Sequence, residues 1–405
     1  MNLNDNSLTR RRFVSAAGSA ALAFRLVKPT AVRGTQANSR IKAGIIGTGN
    51  RGSMITGMVR DHGGYEVTAL ADYFAPVATA AGERFGVPKD RCFSGLAGYQ
   101  KLIASDVDAV FLETPPYCFP DHAEAAVKAG KHVYLAKPLG CDVPGCLRIA
   151  EAGKKATNDK KVFLVDFQTR TDPFFIEGVQ RVRGGAIGPL ALLSSEYNDE
   201  SFADPPQTAT IESRLQQLIW VNDEALGGSY LVNAGIHAVD VALWIAGQRP
   251  VSAMGASRLG RADPHGDSHD VYSITYEFPD GLILNHRGEH LKNRSEFRSD
   301  CLAQGRDGCL ESGYTSRVRI LGNRTGYRGG DVENLYPRGA ERNIDTFHKC
   351  VTEGIYDNTT LEPSVNATLA TILGRDAARR RTKLTWDEMI QENRRLEVDL
   401  SGLKA

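Results

Sequence analysis

Ile41-Lys42-Ala43-Gly44-Ile45-Ile46-Gly47-Thr48-Gly49-Asn50-Arg51-Gly52 is the stretch whose reading decides the fold. An apolar run of strand character feeds a G-x-G-x-x-G turn, and the residues after it can start a helix. Gly47 permits the tight turn, Gly49 lets backbone approach a diphosphate, and Gly52 lets helix and strand pack. The helix N-terminus then offers its unpaired N–H groups, so Thr48, Asn50 and Arg51 join the three glycines as candidate contacts for a dinucleotide. A second strand, residues 65–71, leads into Asp72, 20 residues beyond Gly52. A carboxylate there can accept hydrogen bonds from an adenosine ribose and repels a 2′-phosphate, which favours NAD over NADP.

Outward from that unit, strands and helices alternate. Residues 108–114 read as a buried strand closed by Thr114-Pro115-Pro116-Tyr117, residues 121–129 as a helix, residues 131–136 as a strand ending in Lys137-Pro138, residues 142–155 as a helix and residues 162–167 as a strand. This pattern predicts an α/β fold, a doubly wound parallel Rossmann sheet that binds ligands beyond the carboxyl ends of its strands. Thr114, Lys137 and Gln168 stand at such ends, and Tyr117 follows one as a candidate substrate contact. After residue 247 the chain turns strand-rich and predicts a second, α+β domain with an open, mostly antiparallel sheet. The division expected is 1–37 as leader and linker, 38–167 as the dinucleotide domain, 168–354 as the substrate and oligomerisation domain, and 355–405 as helices packed back on the first domain.

Here the chain resembles the glucose-fructose oxidoreductase and inositol dehydrogenase family, Gfo/Idh/MocA. The resemblance rests on Thr114-Pro115, His122, Ala126-Val127-Lys128-Ala129-Gly130-Lys131-His132-Val133 and Ala136-Lys137-Pro138. Where the family motif reads E-K-P, this chain has Ala136, so the orientation that a carboxylate gives the lysine must come from elsewhere. The resemblance implies that Lys137 moves a proton on a substrate hydroxyl, that Thr114, Pro115 and His122 border the cofactor, and that the open sheet pairs subunits into a homo-oligomer. A partly desolvated lysine at a strand end has a lowered pKa, which suits that duty.

A helix over residues 228–244 places Asn233, His237, Asp240 and Trp244 at i, i+4, i+7 and i+11, on one stripe. It resembles the family's second motif, whose histidine and first acid act with the lysine. Asn233 stands for that acid, and an amide cannot accept a proton at neutral pH. Base duty therefore falls on Lys137 and His237, with Asn233, Asp240, Gln168 and Arg170 as candidate substrate contacts. Arg170 either meets a substrate oxygen or pairs across the domain boundary, and His237 with Asp240 can equally form a structural pair. No third ligand accompanies His237 and Asp240, so no metal site is expected.

Composition narrows the class. A net charge of +1 over 405 residues, with 24% charged and 41% apolar residues, gives no basic footprint for nucleic acid. Seven cysteines without a C-x-x-C pair make a disulfide framework or zinc site unexpected, although Cys301 and Cys309 could bridge. Near the N-terminus, Arg10-Arg11-Arg12-Phe13 precedes a short run of small apolar residues, 15–24, the form of a twin-arginine export signal. Such export carries folded protein through the twin-arginine translocase to the periplasm, with an uncleaved signal as membrane anchor the alternative, and implies a tightly held cofactor. The reading is an NAD-dependent oxidoreductase for a secondary hydroxyl of a sugar, cyclitol or glycoside. Two alternatives stand beside it: a redox-neutral glycoside hydrolase or epimerase, and a non-catalytic sugar-binding protein.

Overall fold

Strand β1 (Ile41–Ile46) lies at the centre of a six-stranded parallel sheet whose order is β3-β2-β1-β4-β5-β6. The computed structural model describes residues 40–204, 212–215, 219–262, 264–323 and 326–404. The twin-arginine stretch lies outside them. In chain order β1 is followed by α1 (Asn50–Asp61), β2 (Tyr65–Asp72), α2 (Ala75–Phe85), β3 (Cys92–Ser94), α3 (Gly98–Ala104), β4 (Ala109–Leu112), α4 (Phe119–Lys128), β5 (His132–Ala136), α5 (Val143–Asn158) and β6 (Phe163–Asp166).

Helices cover both faces of this sheet, which is why β4 and β6 are buried along their whole length and read as unbroken apolar runs. The chain reverses direction across the sheet between β1 and β4. The crevice at that switch point is where an open parallel sheet takes its ligand.

Asp172 caps α6 (Pro173–Arg183) by accepting from the N–H groups of Phe174 and Phe175, and proline fills the first helical position. Then come β7 (Leu190–Asp199), the short α7 (Glu224–Gly227), a π-helical turn (Leu231–Gly235), α8 (Ile236–Ala246), β8 (Ser252–Arg258), β9 (Val271–Glu277), β10 (Ile283–His290), β11 (Arg298–Gly305), β12 (Gly308–Gly313), β13 (Arg317–Gly322) and β14 (Tyr327–Asp331). The chain closes with α9 (Leu335–Glu353), α10 (Leu361–Arg380), β15 (Leu384–Thr385) and α11 (Trp386–Glu392).

The second sheet runs β14-β13-β12-β11-β7-β10-β9-β8-β15 and is antiparallel except where β10 lies parallel to β7. Its inner face, including Leu193, Tyr276, Leu284 and Ala303, packs under α6, α8 and α10. On the outer face Met254, Ile283 and Leu321 are exposed.

Three local expectations change. The helix read over 228–244 is interrupted: a wider π turn precedes a regular helix that begins only at Ile236. Helix α10 does not simply return to the first domain, because it wedges between α5 on one side and α8 and β8 on the other. All seven cysteines are free. Cys301 pairs in register with Ser312 and Cys309 with Gln304, three residues along β11, so the two thiols point to opposite faces of the sheet.

Candidate active site

The glycine turn and the carboxyl ends of β4 and β5 open into one cleft of about 590 Å³, closed on its far side by β7 and the π turn. Gly47 has φ +91°, and a side-chain carbon there would sit 2.7 Å from the Glu113 carbonyl. At Gly52 it would collide with the Gly47 oxygen. Gly49 is different, since a Cβ there would meet nothing within 4 Å and would project into free space. No side chain caps α1, and its first residues, Asn50, Arg51 and Gly52, line the cleft. A cradle with an open glycine and an uncapped helix end fits a dinucleotide diphosphate.

Asp72 lies on the wall of this cradle and also braces it. One carboxylate oxygen accepts from the Thr48 N–H at 2.8 Å and the other from the Phe74 N–H at 3.0 Å. Burial pushes its pKa up, against those hydrogen bonds. Thr48 itself faces this carboxylate rather than the cleft, a correction to its expected contact with the dinucleotide.

Thr114, Pro115 and His122 line the neighbouring wall, with His122 Nδ1 3.4 Å from the Thr114 hydroxyl and its ring 4.2 Å from that of Tyr99. Burial lowers the His122 pKa to about 4, so the ring is neutral.

Lys137 reaches the same cleft from the end of β5. Its Nζ donates to the backbone carbonyl of Asn233 at 2.8 Å, so this residue of the π turn steadies the lysine through its main chain. Burial first, and then the charge of Arg51, bring the Lys137 pKa down to about 7. His237 lines the cleft too and is 6% exposed, with its Nδ1 unpartnered. Its ring lies between Tyr314, at 5.3 Å, and Tyr197, at 6.3 Å. Burial, with Lys137 and Arg51 nearby, holds it neutral far below the usual histidine range.

Several candidates stand elsewhere. Asp240, with a side chain 0% exposed, takes a two-pronged ion pair from Arg170, with Nε–Oδ2 at 2.9 Å and Nη2–Oδ1 at 2.8 Å. Trp244 lies against that guanidinium at 5.1 Å. The predicted stripe thus splits: Asn233 and His237 reach the cleft, whereas Asp240 and Trp244 hold Arg170, the boundary pair of the two readings. Gln168 is buried behind the cleft, donating to Asp166 at 2.9 Å. Tyr117 does not line the cleft either. Arg51, expected on phosphate, spends its guanidinium on Glu113, at 3.0 Å, and on Asp166.

Sequence reading missed those two acids and the aromatic wall of Tyr197, Trp220, Phe297 and Tyr314, with Asp199 beside it. An acid closing an apolar strand, as in Val110-Phe111-Leu112-Glu113 and Leu164-Val165-Asp166, is the signal that could have found Glu113 and Asp166. The aromatics carry none, because they come from separated segments. Among the described residues no cluster of metal-ligating side chains occurs.

Two family models match this chain. Residues 41–165 match the oxidoreductase family with an NAD-binding Rossmann fold, and residues 177–311 match the C-terminal domain of the same family, so together they take in more than half of the chain. The chain belongs to the Gfo/Idh/MocA family. Among its relatives is inositol 2-dehydrogenase 2 of Saccharopolyspora erythraea, 28% identical over 60% of this chain and 64% of the relative, so less than two thirds of that protein is matched. Aldose-aldose oxidoreductase from Caulobacter crescentus shares the fold with a TM-score of 0.69 and 21% identity, over 85% of this chain and 99% of that one. Levoglucosan dehydrogenase in complex with NADH and levoglucosan does so with a TM-score of 0.70 and 17% identity, over 86% and 99%. Gfo/Idh/MocA membership accounts for both sheets and for the NAD-binding character of the first.

Proposed function

We propose that this Gfo/Idh/MocA protein is an NAD-dependent oxidoreductase that oxidises, or in reverse forms, a secondary hydroxyl on a sugar, cyclitol or glycoside. The observation that carries the reading is that Lys137 and His237, from different parts of the chain, face one cleft with the open glycine turn. The turn 47–52 and the wall of Thr114, Pro115 and His122 would hold NAD, which supplies the acceptor for the substrate's hydride. With its pKa near 7, Lys137 is partly amine at neutral pH and can take the hydroxyl proton. The Asn233 carbonyl fixes the lysine nitrogen in place. Neutral His237 lines the same cleft, where its ring can orient the same hydroxyl. Tyr197, Phe297 and Tyr314 exclude water and offer apolar faces to the C–H side of a ring. Asp72 disfavours a 2′-phosphate and so NADP.

Following NADH formation over a panel of sugars and cyclitols tests the reading. Turnover on several, lost in Lys137→Ala, supports it, and no turnover on any member sinks it.

A redox-neutral reaction, hydrolysis or epimerisation through a transient ketone, is the second reading, and one feature favours it. The C-terminal tail crosses the rim of the cleft: the Leu96 N–H donates to the Lys404 carbonyl at 2.9 Å, and the Lys404 N–H donates to the Tyr73 hydroxyl at 3.0 Å. Leu96 and Tyr73 both line the cleft, so the tail can retain a cofactor. Retention also suits export through the twin-arginine translocase to the periplasm, read from Arg10-Arg11-Arg12. Cleavage of a nitrophenyl glycoside without added NAD would establish this second reading. We also infer a homo-oligomer paired through the outer sheet face that bears Met254 and Ile283, which light scattering can check.

A further inference from the structure

Position 136, where the family motif has a carboxylate beside the lysine, holds alanine here. β4 and β6 flank β5 on either side, so the residues at their carboxyl ends rise next to Lys137. Those residues are Glu113 and Asp166, both with side chains 0% exposed. Arg51 reaches over from the start of α1 and ion-pairs with both, and the Tyr336 ring covers its guanidinium at 5.0 Å. Asp166 takes further hydrogen bonds from Gln168 Nε2 at 2.9 Å and from Asn343 Nδ2 at 2.6 Å.

One guanidinium thus faces two carboxyl groups that are both shut off from water. Lys137 follows the strand that lies between them. We propose that Glu113 and Asp166, bridged by Arg51, are positioning residues for Lys137 and supply the charge that the missing carboxylate at position 136 would have given. This inference rests on the reading of Lys137 as the group that moves the proton.

The charges oppose one another across the lysine. Glu113 and Asp166 favour the ammonium, whereas burial and Arg51 favour the amine, so one proton can come and go. Burial also pushes Glu113 up to about 7, which gives that proton a second carrier. The other titratable groups around the set are His237 of α8, which burial keeps neutral, Tyr134 of β5 and Tyr314 after β12, whose hydroxyls burial keeps protonated, and Tyr336 of α9.

Acetic anhydride labelling of the purified full chain across pH, read by mass spectrometry at the Lys137 peptide and without substrate, tests the proposal. Glu113→Gln should lower the pH midpoint of Lys137 labelling by about one pH unit, and Asp166→Asn should lower it in the same way, while exposed lysines stay unchanged. Arg51→Met should raise it, and Arg51→Lys, which restores the charge, should bring it back toward the wild-type value. If Glu113→Gln fails to fold, Asp166→Asn and the Arg51 pair give the same reading. An unmoved midpoint in the carboxylate variants overturns the proposal. Assays with NAD and sugars separate this from the proposed reaction: moved midpoints without turnover uphold the cluster and remove the reaction, and turnover with unmoved midpoints does the reverse.

Discussion

Lys137 Nζ donates a 2.8 Å hydrogen bond to the backbone carbonyl of Asn233, joining the residue that follows the Rossmann strand β5 to the π turn of the second lobe. The bond aligns an amine from one lobe with an imidazole from the other, because His237 follows Asn233 by one turn and lines the same cleft. A main-chain acceptor does this without carrying a charge, so the lysine is steadied and its proton stays available.

Replacing Lys137 by alanine should lower kcat/KM by about 10²–10⁴-fold, the span of a lost general base. In the wild type, oxidation should rise with pH through about 7 and level off above it, because the amine is the working form and the ammonium dominates below. Reduction of the ketone, which needs the ammonium, should show the opposite trend. Initial rates in both directions across pH check this.

Gly49→Ala and Gly52→Ala should fail in different ways. A methyl at Gly52 overlaps the Gly47 oxygen, at 1.8 Å, so that variant should lose thermal stability. At Gly49 the protein leaves room, so this variant should melt like the wild type but bind NAD weakly, its methyl standing where the diphosphate passes. Calorimetric NAD titration beside thermal melts distinguishes the two.

Arg170→Ala strips the partner from a carboxylate that is entirely buried, and the folded state should lose about 3 kcal/mol or more. Asp240→Asn should cost less, because no lone charge remains on the buried side. Turnover per folded molecule should persist in both, since neither residue lines the cleft. Urea unfolding with parallel assays tests the pair.

His122 contributes a pH-dependent share of stability. Its pKa is about 4 in the fold and near the ordinary 6.5 when unfolded, so as pH falls between these values the unfolded chain takes the proton first. The contribution is whole above about pH 6.5 and is lost toward pH 4, about 3 kcal/mol in all. The stability advantage of the wild type over His122→Asn should shrink in that window, as denaturant melts at pH 7.5 and 5 would show.

The sequence by itself determined five of the six strands of the first sheet, the glycine turn and the lysine at a strand end, because each is local, whereas the three-residue edge strand Cys92–Ser94 is too short to leave a pattern. A glycine turn must follow its strand within a few residues, and burial on both faces writes β4 and β6 as apolar runs. Most strands of the second sheet were legible by their alternation. The short strands Gly308–Gly313 and Tyr327–Asp331 were not, since glycines dilute the pattern. Tertiary structure alone decided which charges meet. Helical spacing put Asp240 in a row with His237, but the nearness of Arg170 turned that carboxylate into a clamp between segments. Arg51 looked like a phosphate ligand until strands 62 and more residues downstream brought Glu113 and Asp166 against it. In a dry interior an unpaired charge costs more than any local preference yields, so buried ions take the partners that folding brings within reach.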